Sequence, residues 1–214
     1  MTERFFWEDP YLDRLDSRVA AVDGDWITLD RTIFFAFSGG QESDRGRIGG
    51  HEVLEAVADG PGIRYRLAPD HGLEPGAPVT AEIDMTRRYR LMRLHFAAEL
   101  VLELADRHMP GAAKIGAHIA EDKARIDFLW PSPVTPLLPV FLADVAELVA
   151  ADLPIISAFS DQAAGRRYWE VEGVARVPCG GTHLRRTGEV GAITLKRVNV
   201  GKGKERIEMR LVAP

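Results

Sequence analysis

The chain has 214 residues, 46% hydrophobic and 28% charged, with 27 Lys plus Arg against 32 Asp plus Glu and a formal net charge of -5. That is ordinary globular composition, long enough for one generous domain or two small ones, and it excludes a disordered chain and a protein that holds nucleic acid through an overall basic charge. The single Cys179 excludes an intrachain disulfide, and no apolar run approaches the roughly 18 residues of a membrane span. The start Met1-Thr2-Glu3-Arg4 lacks a signal-peptide pattern, so a cytoplasmic protein with no membrane contact and no obligate protein partner is expected.

Residues 1–84 read as short strands between turn signals: 26–29, 32–37, 52–57, 63–67 and 79–83. Asp23-Gly24, Ser38-Gly39-Gly40, Gly49-Gly50, Asp59-Gly60-Pro61-Gly62 and Glu74-Pro75-Gly76 punctuate them, and the even spacing suggests a small barrel. At Met85 the period changes. Up to about Arg107 there is no Gly or Pro, and apolar residues recur at Met92, Phe96 and Leu100 and at Leu94, Ala97, Val101 and Leu104, which predicts a long helix. Pro110-Gly111 cannot continue it.

Two alternating runs follow at 114–119 and 125–130. A second helix opens at Thr135-Pro136 and runs to about Leu153, with Pro139 tolerated in its first turn. Strands at 155–159 and 168–171, a glycine-rich loop, and a hairpin of 192–200 and 206–212 turning through Gly201-Lys202-Gly203 complete the chain. Strands and helices in blocks rather than in regular alternation argue for an α+β fold, with a domain boundary near residue 84.

Cys179-Gly180-Gly181-Thr182-His183 places a thiol and an imidazole four residues apart, as a metal-ligand pair or a nucleophile pair would be; a buried cysteine beside an incidental histidine is the plainer reading. His95 and Glu99 are one helical turn apart on one face, and both suit zinc, although a solvated polar stripe would look the same. One helical pair plus one loop pair makes the four ligands of a tetrahedral site. His51, His71, His108 and His118 are weaker candidates with surface or packing roles. Arg87, Arg88, Arg90 and Arg93 precede His95, Arg185 and Arg186 follow His183, and Lys202, Lys204 and Arg206 surround the last hairpin, so basic residues flank the candidate ligands and favour a polyanionic substrate.

Together these segments resemble the AlaX family, free-standing relatives of the editing domain of alanyl-tRNA synthetase. Trp7-Glu8-Asp9-Pro10-Tyr11-Leu12 is similar to the family's opening, and Thr32-Ile33-Phe34-Phe35 through Gly39-Gly40-Gln41-Glu42-Ser43-Asp44-Arg45-Gly46 to its glycine-rich segment. Asp122-Lys123-Ala124-Arg125-Ile126-Asp127-Phe128 and the Cys179–His183 run, followed by Thr187-Gly188-Glu189 and Gly201-Lys202-Gly203, extend the match over nearly the whole chain.

The resemblance implies a medium-length member: a small N-terminal β-barrel over 1–84, then a two-layer α/β editing domain with an antiparallel sheet over 85–214. It implies a zinc-dependent hydrolase that deacylates mischarged tRNA(Ala), above all Ser-tRNA(Ala). Zn(2+) would be held by His95, Cys179, His183 and Glu99. Arg87, Arg88, Arg90, Lys202 and Lys204 would contact tRNA. Thr32, for the serine hydroxyl, and Gln41 are the catalytic candidates of the glycine-rich segment. Two departures stand out. The family's H-x-x-x-H reads His95-Phe96-Ala97-Ala98-Glu99 here, so Glu99 is either a ligand or a base just outside the metal shell. Ala36-Phe37-Ser38 stands where a further glycine is usual. The alternatives are a zinc-supported tRNA-binding module without hydrolysis and a metallohydrolase of small esters or amides.

Overall fold

The computed structural model describes residues 2–212. It is an α+β chain of mostly antiparallel sheets and two α-helices. It divides into two compact units, one of residues 2–38 and 42–89, the other of residues 39–41 and 90–212. None of the helices among the described residues is long and apolar enough to cross a membrane.

The first unit contains β1 (Glu3–Arg4), β2 (Arg14–Asp23), β3 (Trp26–Leu29), β4 (Arg31–Thr32), β5 (Gly46–Ile48), β6 (His51–Glu52), β7 (Glu55–Asp59), β8 (Gly62–Arg66) and β9 (Pro78–Ile83). β1 and β4 form a short parallel pair, and the others a seven-stranded sheet in the order β6-β5-β9-β2-β3-β8-β7. β2 organises it: Arg14 to Arg18 pair with β9, Val19 to Asp23 pair with β3, and a register shift between Val19 and Ala21 marks the bend. The sheet is consistent with a half-barrel rather than the closed barrel expected, since among the described residues its outer strands β6 and β7 are not paired with each other. Ile27, Leu29, Ile33, Phe34, Ile48, Tyr65 and Leu67 form the centre of its core with essentially no exposure, each apolar side chain worth about 1.5–3 kcal/mol of burial.

The expected strand over 32–37 ends at Thr32, because side chains from further along the sequence take its backbone groups. The Ile33 carbonyl accepts a bond from the Arg88 guanidinium at 2.6 Å, and the Phe35 amide donates to the Asp44 carboxylate at 2.6 Å, so these backbone groups are satisfied by side chains rather than by a neighbouring strand.

Helix α1 (Met85–His108) starts where Asp84 caps the Arg87 amide at 3.0 Å, and ends before Pro110 and Gly111, the latter at φ +87°. From Leu91 to Ala105 its apolar side chains are buried nearly all round, as befits a central helix. In the second unit β10 (Ala113–Ile119), β11 (Ala124–Leu129), β15 (Ile193–Asn199) and β16 (Lys204–Leu211) form an antiparallel sheet in the order β10-β11-β16-β15. β12 (Ile156–Asp161), β13 (Arg166–Val171) and β14 (Ala175–Pro178) form a second one, and its Trp169 packs edge-on against Phe96 of α1 with ring centroids 5.1 Å apart. Helix α2 (Leu138–Ala151) is stopped by Asp152 in the left-handed conformation, φ 46°. The chain after His183 is tied to that stop: Thr187 Oγ1 donates to the Leu148 carbonyl at 2.6 Å, the Gly188 amide donates to Asp152 at 3.2 Å, and Arg186 donates to the same carboxylate at 2.7 Å.

Candidate metal centre

Three side chains from different parts of the second unit converge. His95 projects from the middle of α1, Cys179 follows the end of β14, and His183 lies in the irregular chain beyond it; their ligand atoms all lie within 4.8 Å of one another. The Cys179 amide donates to the Arg167 carbonyl at 3.0 Å, which prolongs the β13–β14 pairing as far as the thiol. His95 and His183 are buried and their rings stand 5.1 Å apart. Between Cys179 and His183, Gly181 is required by room rather than by backbone freedom, since its φ is not positive: a Cβ there would fall 2.2 Å from His95 Cε1 and 2.8 Å from Nδ1.

The donor set fits zinc. His95 Nε2 lies 3.5 Å from the Cys179 sulfur, the S···N edge of a tetrahedron with Zn–S of about 2.3 Å and Zn–N of about 2.0–2.1 Å. His183 Nδ1 is hydrogen-bonded to Ser157 Oγ at 3.0 Å, while its buried Nε2 has no hydrogen-bond partner among the described residues. With Nδ1–H donating to Ser157, the Nε2 lone pair is left for a cation, and an outer hydrogen bond of this kind fixes ring and tautomer.

Glu99 meets the group through His95 Nε2, at 3.1 Å. Burial alone would lower the His95 imidazole, but the Cys179 sulfur and then the Glu99 carboxylate outweigh it and raise the pKa to about 10. His183 is pushed down to about 3, by burial first and then by the charge on His95. Burial would raise Glu99, yet the His95 hydrogen bond and positive charge hold its carboxyl at about 2. Metal-free, the cluster thus keeps Glu99 ionised, His183 neutral and the proton on His95, a proton that a cation would have to displace to bind here.

Gln41 is brought to the same place. Its Nε2 donates to Thr182 Oγ1 at 2.9 Å and its Oε1 faces the Thr182 amide at 3.4 Å, with both side chains buried. Gly40 at φ +93° allows the approach: the Gly40 carbonyl accepts the Ile119 amide at 2.7 Å, and a Cβ on Gly40 would sit 2.6 Å from the Ala117 carbonyl oxygen. Thr32 belongs to the first unit, fully buried, its hydroxyl sharing a 2.6 Å hydrogen bond with Tyr65 and accepting one from the Phe34 amide at 3.0 Å.

The whole length of the chain aligns with known proteins. It is 32% identical to an alanyl-tRNA editing protein AlaX-M of Pyrococcus horikoshii over 99% of this chain and 98% of the relative. The chain belongs to the AlaX-M family. An AlaX-M protein of Methanosarcina acetivorans is 31% identical over 99% of this chain and all of its own length, and an alanine–tRNA ligase of Ignicoccus hospitalis is 33% identical over 91% of this chain but only 24% of the ligase. Residues 170–208 match the family described as the threonyl and alanyl tRNA synthetase second additional domain, which takes in Cys179 and His183.

Two expected tRNA contacts in this AlaX-M chain need correction. Arg88 is fully buried, its guanidinium spent on both oxygens of Asp44 and on the carbonyls of Ile33 and Pro10. Arg87 is nearly as buried and bonded to Glu42 at 2.6 Å and to the Ser43 carbonyl. Both arginines build the first unit and present no charge to a ligand, whereas Arg90, Lys202 and Lys204 are exposed. Ser157, hydrogen-bonded to His183, is not distinguishable in the sequence. A serine in an alternating strand carries no signal of its own, and only the pairing of β12 with β13, with Ser157 opposite Trp169, brings it to His183.

Proposed function

We propose that this chain is a trans-editing enzyme, an aminoacyl-tRNA hydrolase that cleaves the ester between tRNA(Ala) and a wrongly attached amino acid, serine foremost. The observation that carries the reading is the full-length likeness to alanyl-tRNA editing proteins in a chain whose His95, Cys179 and His183 converge. Serine is larger than alanine by one hydroxyl, which a synthetase pocket rejects only weakly, so a second site that hydrolyses the error adds the missing discrimination. The reaction needs water and no nucleotide, and its place is the cytoplasm. The domains that go with this reading are a barrel-type domain over 1–84 and an editing domain over 85–214.

His95, Cys179 and His183 would hold Zn(2+), with Glu99 as fourth ligand or as the base beside it. Bound there, zinc supplies Lewis-acid polarisation of the ester carbonyl and lowers the pKa of water. Where Glu99 stays outside the metal shell, its carboxylate would serve as the proton acceptor. Ser157 and Gly181 keep the two imidazoles in place. Gln41 braces the Cys179–His183 loop through Thr182, and Thr32 is the candidate for reading the serine hydroxyl, which requires it to share its bond with Tyr65. Arg90, Lys202 and Lys204 carry the RNA contacts expected from the sequence.

The test is the deacylation rate of Ser-tRNA(Ala) beside that of Ala-tRNA(Ala), with Thr32→Val as the specificity probe. Serine is expected to be released at least about tenfold faster; equal or absent release of both overturns the reading. Glu99 in place of a second helix histidine favours one alternative, a zinc-supported tRNA-binding module. A fourth protein ligand would close the shell as in structural zinc sites, and tRNA binding without any deacylation would be its signature.

A further inference from the structure

The four-stranded sheet of the second unit has one buried face and one charged face. On β11 and β16, Ala124, Ile126, Phe128, Ile207 and Met209 point inward, and the residues between them point to solvent. The register then places five cations on the outer face, Arg125, Lys196, Lys204, Arg206 and Arg210, and Lys123, just before β11, joins them through its bond to Glu208. Arg125 pairs across the strands with Glu208, Asp127 with Arg206, and Lys196 with Glu208, while Lys204 and Arg210 continue the Arg206 row at two- and four-residue spacing.

The carboxylates on this face lie below the cations. Asp127 is 14% exposed and ion-paired to both Arg125 and Arg206, which are 29% and 25% exposed. Glu208, also 14% exposed, lies under Lys123 at 36%, 3.1 Å away. Arg210 reaches Asp122 at 3.2 Å at the margin, both well exposed. The deep carboxylates fix the guanidinium planes, and a guanidinium so held has donors left over for a second anion. Solvent therefore meets positive charge first, on a chain whose net charge is -5. The cations come from β11, β15 and β16 and the residue before β11, on strands about 4.8 Å apart with the exposed Leu129 opposite Lys204, which makes this a strip rather than a pocket for a small anion.

We infer that the outer face of the β10-β11-β16-β15 sheet is the docking surface for the phosphate backbone of the tRNA stem. The inference rests on the tRNA-editing reading above and replaces Arg87 and Arg88, which are buried, with a surface whose cations stand in register. Contacts of this kind position an RNA helix without reading its bases. They suit a substrate whose chemistry is concentrated at the far end of a stem.

The test is equilibrium binding of an unmodified tRNA(Ala) transcript between 50 and 200 mM salt, by fluorescence anisotropy. The variant is Lys196→Ala/Lys204→Ala/Arg210→Ala, which leaves Arg125, Arg206 and the two sunken carboxylates undisturbed. Its control is Arg18→Ala/Arg31→Ala/Arg47→Ala, which removes the same charge from exposed positions of the first unit. Both must keep the wild-type Tm. The sheet variant is expected to weaken binding about tenfold or more and to reduce the salt slope by about three, one per lost phosphate contact; the control is expected to bind like wild type. Equal weakening by both variants assigns the effect to net charge and overturns the surface. If wild type binds and deacylates while the sheet variant binds unchanged, the surface falls and the editing reading stands. If wild type neither binds nor deacylates, both fall.

Discussion

Gly181→Ala tests the geometry of the metal centre with the smallest possible change. The added Cβ would sit 2.2 Å from His95 Cε1, 2.8 Å from Nδ1 and 3.0 Å from Gln41 Oε1. Restoring ordinary contact, about 3.4 Å, requires the imidazole to retreat by about 1.2 Å. The ring cannot do so freely, because it is buried and already held beside Glu99 at 3.1 Å, the Cys179 sulfur at 3.5 Å and the His183 ring at 5.1 Å between centroids. Overpacking of this kind costs about 1–3 kcal/mol. More telling is the effect on metal, since ligand distances must hold to within about 0.2 Å, and even outer-shell changes cost about 10–100-fold in affinity. We expect zinc affinity, measured by competition with a chromophoric chelator, to fall at least that far. Gly180→Ala is the control, for its Cβ would meet nothing within 4 Å, and it should bind zinc like wild type. Zinc binding by Gly181→Ala within about threefold of wild type, at unchanged Tm, would refute the derivation.

Two further outcomes follow from contacts elsewhere. Ser157→Ala removes the hydroxyl that orients His183 and should lower zinc affinity about tenfold or more at nearly unchanged stability, with Ser157→Thr restoring it; equal zinc affinity in both variants would show that the hydrogen bond does no orienting. Arg88→Met leaves Asp44 buried without its partner and should cost about 3–5 kcal/mol in chemical denaturation, while the fraction that remains folded should bind tRNA(Ala) as wild type does; normal stability with impaired tRNA binding would return Arg88 to the RNA surface.

The long helix was legible because nothing in 85–107 breaks it and its apolar positions repeat at helical spacing; Asp84 and Pro110 then set its ends. β2 was not legible. Its outward positions are Arg and Asp, few large apolar residues face the core, and the bulge between Val19 and Ala21 shifts the alternation midway along it. The segment 33–37 is a continuous apolar run that reads as a strand, yet Arg88 and Asp44 take two of its backbone groups, and those partners come 55 and 9 residues further on. The same long-range pairing explains Arg87 and Arg88: from sequence they belong to a basic run, and only the fold sets them against Glu42 and Asp44. The candidate ligands fared differently. His95 and Glu99 share a helix face by spacing alone, and Cys179 and His183 share a short loop, so each pair could be read locally. That the two pairs meet, that Ser157 backs His183, and that Gly181 makes room for His95 are consequences of tertiary packing.

The most direct test of the account is single-turnover deacylation of Ser-tRNA(Ala) by zinc-replete wild type and by Cys179→Ala, with the zinc content of each measured alongside. About one zinc per wild-type chain is expected and, in Cys179→Ala, loss of both metal and deacylation by at least about a hundredfold. Full-rate hydrolysis by Cys179→Ala, or wild-type hydrolysis at well under about one zinc per chain, would contradict a catalytic centre built on His95, Cys179 and His183.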